Sequence, residues 1–234
     1  MAKPALILLP GMLNTSQVWQ AAADRLSGGA EICAVDGLTQ NSMRAMADHA
    51  WDCARGLAKP AFIAGFSMGG LVAMQMAHDR PQDAAGLALV NTASRAAGGK
   101  EREIAAKSIA AAERDTEKFL ASVARLGLLP AHEGESRFAD AQLPMMREIG
   151  LAGFLNQQAA LLGRAAPAEL LRGFAKPVTI LCSEADRVTP KFLSDELLAM
   201  LPGAAFEVIP DAGHWTLLEA PEAVAAALRR WLKA

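Results

Sequence analysis

Three side chains in this 234-residue chain have the types needed for covalent acyl chemistry: Ser67, Asp186 and His214, in that order and widely spaced. A neutral serine hydroxyl is a poor nucleophile. It needs an imidazole to take its proton, and the imidazole needs a carboxylate to fix its tautomer and stabilise its cation. Ser67 is the centre of Gly65-Phe66-Ser67-Met68-Gly69, behind the apolar run Ala61 to Ala64 and ahead of a helix-forming stretch. A serine on so sharp a strand-to-helix turn leaves no room for a Cβ two residues to either side, which accounts for both glycines. Asp186 follows the apolar run Val178 to Cys182 and His214 follows Ala205 to Ile209, so each falls in a loop past a strand end. Glu184 and Asp211 sit in those same loops and compete with Asp186 as the orienting acid.

A tetrahedral intermediate also needs hydrogen-bond donors for its oxyanion. The Met68 N–H, at the start of a helix, offers one. The other is expected from Leu9-Pro10-Gly11-Met12-Leu13, where Gly11 lets the backbone approach and the Met12 N–H points inward. Leu13 and Trp215 adjoin these groups and are candidate substrate contacts, as is Arg95, just past a strand end, which with Arg164 could anchor a substrate carboxylate or phosphate. The seven apolar residues Phe138, Met145, Met146, Phe154, Leu155, Leu161 and Leu162 could line a pocket, although core packing is their default reading. His49, His78 and His132 read as structural. No His or Cys pair has metal-ligand spacing, and neither a dinucleotide-binding glycine pattern nor a Walker lysine occurs, so no metal or cofactor is expected.

The elements that must position these groups alternate. Nearly continuous apolar runs at Ala5 to Leu9, Glu31 to Val35, Ala61 to Ala64, Gly86 to Val90, Val178 to Cys182 and Ala205 to Ile209 imply six buried strands. Helical spacing fills Ser16 to Leu26, Ser42 to Leu57, Met68 to His78, Pro190 to Met200 and Pro221 to Leu232, with Ser16 and Thr189 as expected N-caps. Unalternating strands joined by helices point to a doubly wound α/β sheet. Between Ser94 and Phe174 the alternation stops, and helices are expected at Lys100 to Ala111, Thr116 to Leu126, Phe138 to Ile149, Phe154 to Leu162 and Pro167 to Gly173. This divides the chain into a core of residues 1–95 and 174–234 and a helical cap of residues 96–173, placed over the carboxyl edge of the sheet.

Bulk properties narrow the function class. A net charge of -2 without lysine or arginine clusters gives nucleic acid or anionic lipid no footprint, so a small-molecule substrate is the expected partner. No apolar run approaches the roughly 20 residues of a membrane span. The run after Pro4 is too short for a secretory signal, and three scattered cysteines make no disulfide framework, so a cytoplasmic protein with reduced, buried thiols is expected. Oligomeric state has no sequence signature here.

Together the Pro10-Gly11 turn, Gly-x-Ser-x-Gly, Asp186 with Pro190 four residues on, and Gly213-His214 resemble the α/β-hydrolase superfamily across nearly the whole chain. The likeness is to small capped bacterial hydrolases with a Leu-Pro-Gly-x-Leu start, a group of esterases, thioesterases and carbon-carbon bond hydrolases. It implies a mostly parallel six-stranded sheet flanked by helices, with Ser67 as nucleophile, Asp186 as acid and His214 as base. It also implies a sheet trimmed of the family's first two strands, and an oxyanion turn with proline where histidine is usual. The superfamily's alternative acid position falls here on Asn91-Thr92, which carries no charge. Ester or thioester cleavage through an acyl-enzyme is the implied activity. Carbon-carbon bond hydrolysis and a non-catalytic receptor on the same fold stand as alternatives. Haloalkane dehalogenation would need a carboxylate where Ser67 stands.

Overall fold

Strands covered on both faces carry apolar residues at consecutive positions, and the centre of this sheet is built that way. In the computed structural model, which describes residues 3–233, six strands form one sheet. They are β1 (Ala5–Leu9), β2 (Glu31–Ala34), β3 (Ala61–Phe66), β4 (Ala84–Val90), β5 (Val178–Ser183) and β6 (Ala205–Ile209). Their order is β2-β1-β3-β4-β5-β6 and every pairing is parallel. β1 and β5 are buried at each position, but the edge strands β2 and β6 keep exposed residues. The expectation of six buried strands is corrected there, because an edge strand has a neighbour on one side only.

Ten α-helices complete the described chain: α1 (Gln20–Leu26), α2 (Met43–Cys53), α3 (Met68–Asp79), α4 (Gly99–Arg114), α5 (Thr116–Leu126), α6 (Ser136–Leu162), α7 (Pro167–Leu170), α8 (Lys191–Met200), α9 (Thr216–Glu219) and α10 (Pro221–Trp231). Successive strand side chains point to opposite faces. Ile7, Leu9, Ile63 and Leu89 therefore pack with Met46, Val72 and Leu197 of α2, α3 and α8, while Leu6, Leu8, Ala64 and Val90 pack with Ala22 and Leu228 of α1 and α10. α3 is buried from Met68 to Ala77 without a polar face, as a helix enclosed all round must be.

Local chemistry departs from expectation at several points. Ser16 caps no helix: it begins a 3-10 turn (Ser16–Trp19), and its N–H and hydroxyl donate to Asp36 at 2.6 and 2.8 Å. Ser42 caps α2 instead, accepting from the Ala45 N–H at 3.2 Å. Thr189 is likewise no cap, since its hydroxyl is committed to Asp186. The two helices expected at Phe138 to Ile149 and Phe154 to Leu162 do form: the run labelled α6 is two helical segments meeting at Gly150, whose φ of 65° with ψ of 179° is non-helical and breaks the axis between them. Of the thiols, only Cys182 is buried, while Cys33 is half-buried and Cys53 exposed; all three are free, with burial raising each pKa.

Between β4 and β5 lie α4 to α7 and a 3-10 turn at Pro130–His132. Phe138, Met145, Met146 and Phe154 of α6 are buried with Leu120 and Ala124 of α5, so these apolar residues are packing core. Among the described residues no helix is long and apolar enough to cross a membrane.

Candidate active site

β3 ends at Phe66 and α3 begins at Met68, leaving one residue to reverse the chain. That residue, Ser67, has φ 54° and ψ −118°, a conformation L-residues rarely adopt, and it costs about 1–3 kcal/mol. The turn is held from three directions. The Ser67 N–H donates to Val90 O at 2.9 Å, and Ser67 O accepts from the Gly70 N–H at 3.0 Å and the Thr92 hydroxyl at 2.7 Å. A methyl on Gly65 would strike the Gly69 carbonyl and stand 2.5 Å from the Gly70 nitrogen, and one on Gly69 would lie 2.6 Å from Pro10 O. The glycines let the strand, the helix and the turn after β1 close together around the serine.

Past β5, Glu184 and Ala185 bond to Ile209 O and Ala212 O, which aims the next residue, Asp186, across towards the loop after β6. Its Oδ1 accepts from the N–H groups of Val188 and Thr189 at 2.7 and 2.8 Å, and its Oδ2 from the Thr189 hydroxyl at 2.7 Å. Oδ2 also lies 2.8 Å from His214 Nδ1, and His214 Nε2 lies 3.0 Å from Ser67 Oγ. A carboxylate only accepts, so Nδ1 carries the proton and Nε2 is left to accept from the serine hydroxyl. The Asp186 side chain is fully buried and that of His214 is 9% exposed. Burial pushes the Asp186 carboxyl up, but the His214 ring and the Thr189 donors outweigh it, and the carboxyl titrates below the ordinary aspartate range. Neither competitor makes this contact: Glu184 points to solvent, and Asp211 is exposed in the turn before His214.

The turn after β1 approaches the same point. Leu13 has φ 60°, its side chain is fully buried, and its N–H donates to Gln157 Oε1 at 2.9 Å. Met12 is half-buried, with its sulfur 3.4 Å from Gln158 Nε2. Met68 opens α3, and an N–H in a helix's first turn has no acceptor further up the helix. Trp215 is buried against Phe66; in the Gln142 amide orientation that satisfies both groups, the Gln142 oxygen accepts from Trp215 Nε1 at 3.0 Å.

Arg95 is placed otherwise than expected. Its guanidinium faces Glu196, with Nε donating at 2.8 Å and a second nitrogen paired to the other oxygen, so its fork is already filled. Arg164 donates to the backbone oxygens of Arg95 and Leu161. His49 and His78 contact the carbonyls of Asp36 and Leu170.

Residues without a sequence signature complete the surroundings. Asn91, fully buried, donates from Nδ2 to His214 O at 3.1 Å and to Ser183 Oγ at 3.1 Å, while its Oδ1 accepts from the Ser183 N–H at 2.9 Å; it ties the end of β5 to the His214 loop. Glu219 has a fully buried carboxylate that accepts from the Gly213 N–H at 2.9 Å and the Leu129 N–H at 2.7 Å, with His132 Nδ1 at 2.9 Å. It binds the histidine loop to the helical segment between β4 and β5, as does the Gly127 carbonyl, which accepts from the His214 N–H at 2.6 Å. Among the described residues, the non-glycine residues with positive φ are Leu13, Ser67, Asn91 and Asp211, all in turns at the carboxyl ends of strands around this one point.

A family model described as "Alpha/beta hydrolase family" matches residues 6–227. A pimeloyl-[acyl-carrier protein] methyl ester esterase of Aromatoleum aromaticum is 28% identical over 242 residues, covering 95% of each chain. Among solved structures, a thermophilic esterase from Thermogutta terrifontis superposes with a TM-score of 0.88 at 23% identity, covering 99% of this chain and 90% of that one. The enol-lactonase from Burkholderia xenovorans superposes at 0.86 with 18% identity, covering 100% and 93%. At these identities the superpositions speak to the fold.

Proposed function

The chain belongs to the alpha/beta hydrolase family, and from that premise we propose that it is a serine esterase that cleaves small or medium carboxylic esters through an acyl-enzyme on Ser67. The observation that carries the reading is the unbroken relay Ser67 Oγ, His214 Nε2, His214 Nδ1, Asp186 Oδ2, with steps of 3.0 and 2.8 Å.

His214 Nε2 takes the hydroxyl proton as Ser67 Oγ bonds to the ester carbonyl carbon. The carbonyl oxygen becomes an oxyanion, received by the backbone N–H groups of Met12 and Met68, each donor lowering the barrier by about 3 kcal/mol. Collapse expels the alcohol, which leaves with the proton from His214. Water then attacks the acyl-serine, giving its proton to His214 and regenerating the hydroxyl as the acid departs. Asp186 holds the imidazole in the required tautomer and stabilises its cation. Residues 96–173 act as a cap that shields this chemistry from bulk water, with Leu13 and Trp215 bordering the acyl group. The esterase named among the relatives favours an ester over a thioester. The free thiols support a cytoplasmic setting.

The test is pre-steady-state hydrolysis of p-nitrophenyl acetate and butyrate. Release of nitrophenolate in a burst stoichiometric with enzyme, absent in Ser67→Ala, is expected. Wild-type rates in Ser67→Ala, or no turnover of any ester in the series, would overturn the reading.

A further inference from the structure

Leu13 is a bulky residue held in the left-handed region at φ 60°, inside the turn that presents the Met12 N–H. Nothing intrinsic to leucine favours that conformation. Its neighbours must therefore hold it, and one group does so directly. Gln157, on the part of α6 beyond the Gly150 break, is fully buried and reaches across from the insertion. Its Oε1 accepts from the Leu13 N–H at 2.9 Å, and its Nε2 donates to the Leu38 carbonyl at 2.8 Å. The partners settle the amide orientation, because a backbone N–H only donates and a carbonyl only accepts.

We propose that Gln157 is a positioning residue for the oxyanion turn: by capturing the Leu13 N–H from the insertion, it fixes the direction of the Met12 N–H that receives the oxyanion. This rests on the serine-esterase reading above. The physical basis is that a buried N–H without an acceptor will reorient its peptide to find one. Releasing Leu13 frees a strained turn to relax, and the neighbouring peptide carries the Met12 N–H with it. The donor at Met68 belongs to α3, is anchored separately and keeps its place. Gln158 reinforces the arrangement from the next position, with Nε2 at 3.4 Å from the Met12 sulfur. The insertion thus does more than cover the site: its seating and the readiness of one oxyanion donor are one event.

The experiment compares wild type, Gln157→Leu, Ser67→Ala and a control, Leu120→Ala, which truncates a buried side chain in the insertion's own core, between α5 and α6, and leaves the Gln157–Leu13 contact in place. Hydrolysis of p-nitrophenyl butyrate and inhibition by an alkyl trifluoromethyl ketone are measured below each variant's unfolding temperature. The ketone's serine adduct places an oxyanion where the substrate's would be. In Gln157→Leu, kcat should fall about 10- to 100-fold, the range for a displaced donor, with KM within about twofold, as expected when only transition-state contacts are lost. The ketone's inhibition constant should rise by the same factor as kcat falls. Leu120→Ala should leave both kcat and the inhibition constant within about threefold, a scatter that a remote core truncation allows. If Gln157→Leu does not fold, Gln157→Asn, one methylene too short to span both partners, carries the same expectation. Ser67-dependent turnover with unchanged kcat in a folded Gln157 variant overturns the inference alone. So does a fall in kcat without loss of ketone affinity, or an equal fall in Leu120→Ala. Turnover that survives in Ser67→Ala overturns the esterase reading with it.

Discussion

Replacing Asp186 with asparagine separates the orienting role of this carboxylate from its structural one. The Asp186 oxygens accept four hydrogen bonds, two from the Val188 and Thr189 N–H groups on Oδ1, and two from the Thr189 hydroxyl and His214 Nδ1 on Oδ2. An amide oxygen in place of Oδ1 keeps both backbone bonds. The amide nitrogen then occupies the Oδ2 position, where it can only donate. The Thr189 hydroxyl rotates to accept, and His214 must offer a lone pair at Nδ1. Every group stays partnered, so the stability cost should be modest, about 1–2 kcal/mol for exchanging charge-assisted bonds for neutral ones. The tautomer, however, is inverted. Nε2 now carries the proton and faces Ser67 Oγ as a donor, unable to accept from the hydroxyl, and the imidazolium loses its counter-charge. Loss of that function in a serine hydrolase is worth about 10⁴ in kcat, equivalent to about 5.5 kcal/mol of barrier. The assay is p-nitrophenyl butyrate hydrolysis beside a thermal melt of the same preparation. A folded Asp186→Asn protein retaining kcat within tenfold of wild type would refute the relay.

Three further outcomes follow from the same geometry. Because the folded pKa of Asp186 is depressed, its ionisation stabilises the fold above the unfolded value of about 3.9 and that contribution is lost as pH falls through the folded pKa. The urea midpoints of wild type and Asp186→Asn should therefore converge below about pH 4, and a gap that stays constant from pH 7 to 3 would contradict this. Gly65→Ala forces a methyl into the backbone of Gly69 and Gly70, so destabilisation of about 1–3 kcal/mol by urea titration should accompany a loss of kcat of roughly 100-fold from a displaced serine; wild-type kinetics would show the elbow to be more compliant than its contacts imply. Glu219→Ala strips the acceptor from the Gly213 and Leu129 N–H groups and from His132. It should cost about 3 kcal/mol or more by calorimetry, and hydrogen exchange should rise first at Gly213 and Leu129, whereas protection unchanged there would detach this carboxylate from the base loop.

How far these features were legible in the sequence follows from the range of the forces behind them. β1, β5 and α5 were readable because a strand buried on both faces, or a helix with an even apolar stripe, writes its environment into consecutive residues. The fold class followed from that alternation. The serine turn was equally legible, since its steric demand falls on Gly65 and Gly69, two residues away. Contacts between distant segments left no such trace. Gln157 differs from a surface glutamine only in meeting Leu13, 144 positions earlier in the chain. Asn91 and Glu219 look like a loop asparagine and a helical glutamate until Ser183 and Gly213 are brought beside them. Arg95 shows the converse: a charge past a strand end invites a ligand, yet Glu196, folded against it from α8, already occupies the fork. Thr189 looked like a helix cap because its hydroxyl stands one residue before Pro190, and tertiary structure offered it a stronger acceptor in Asp186.

The central claim is that the Ser67 hydroxyl is activated by His214. It is tested most directly by reacting the protein with a fluorophosphonate probe and locating the adduct by peptide mass spectrometry. Stoichiometric modification at Ser67 in wild type, slowed at least about a thousandfold in His214→Ala, is the expected result. No adduct at Ser67, or one that forms equally fast without the His214 imidazole, would contradict it.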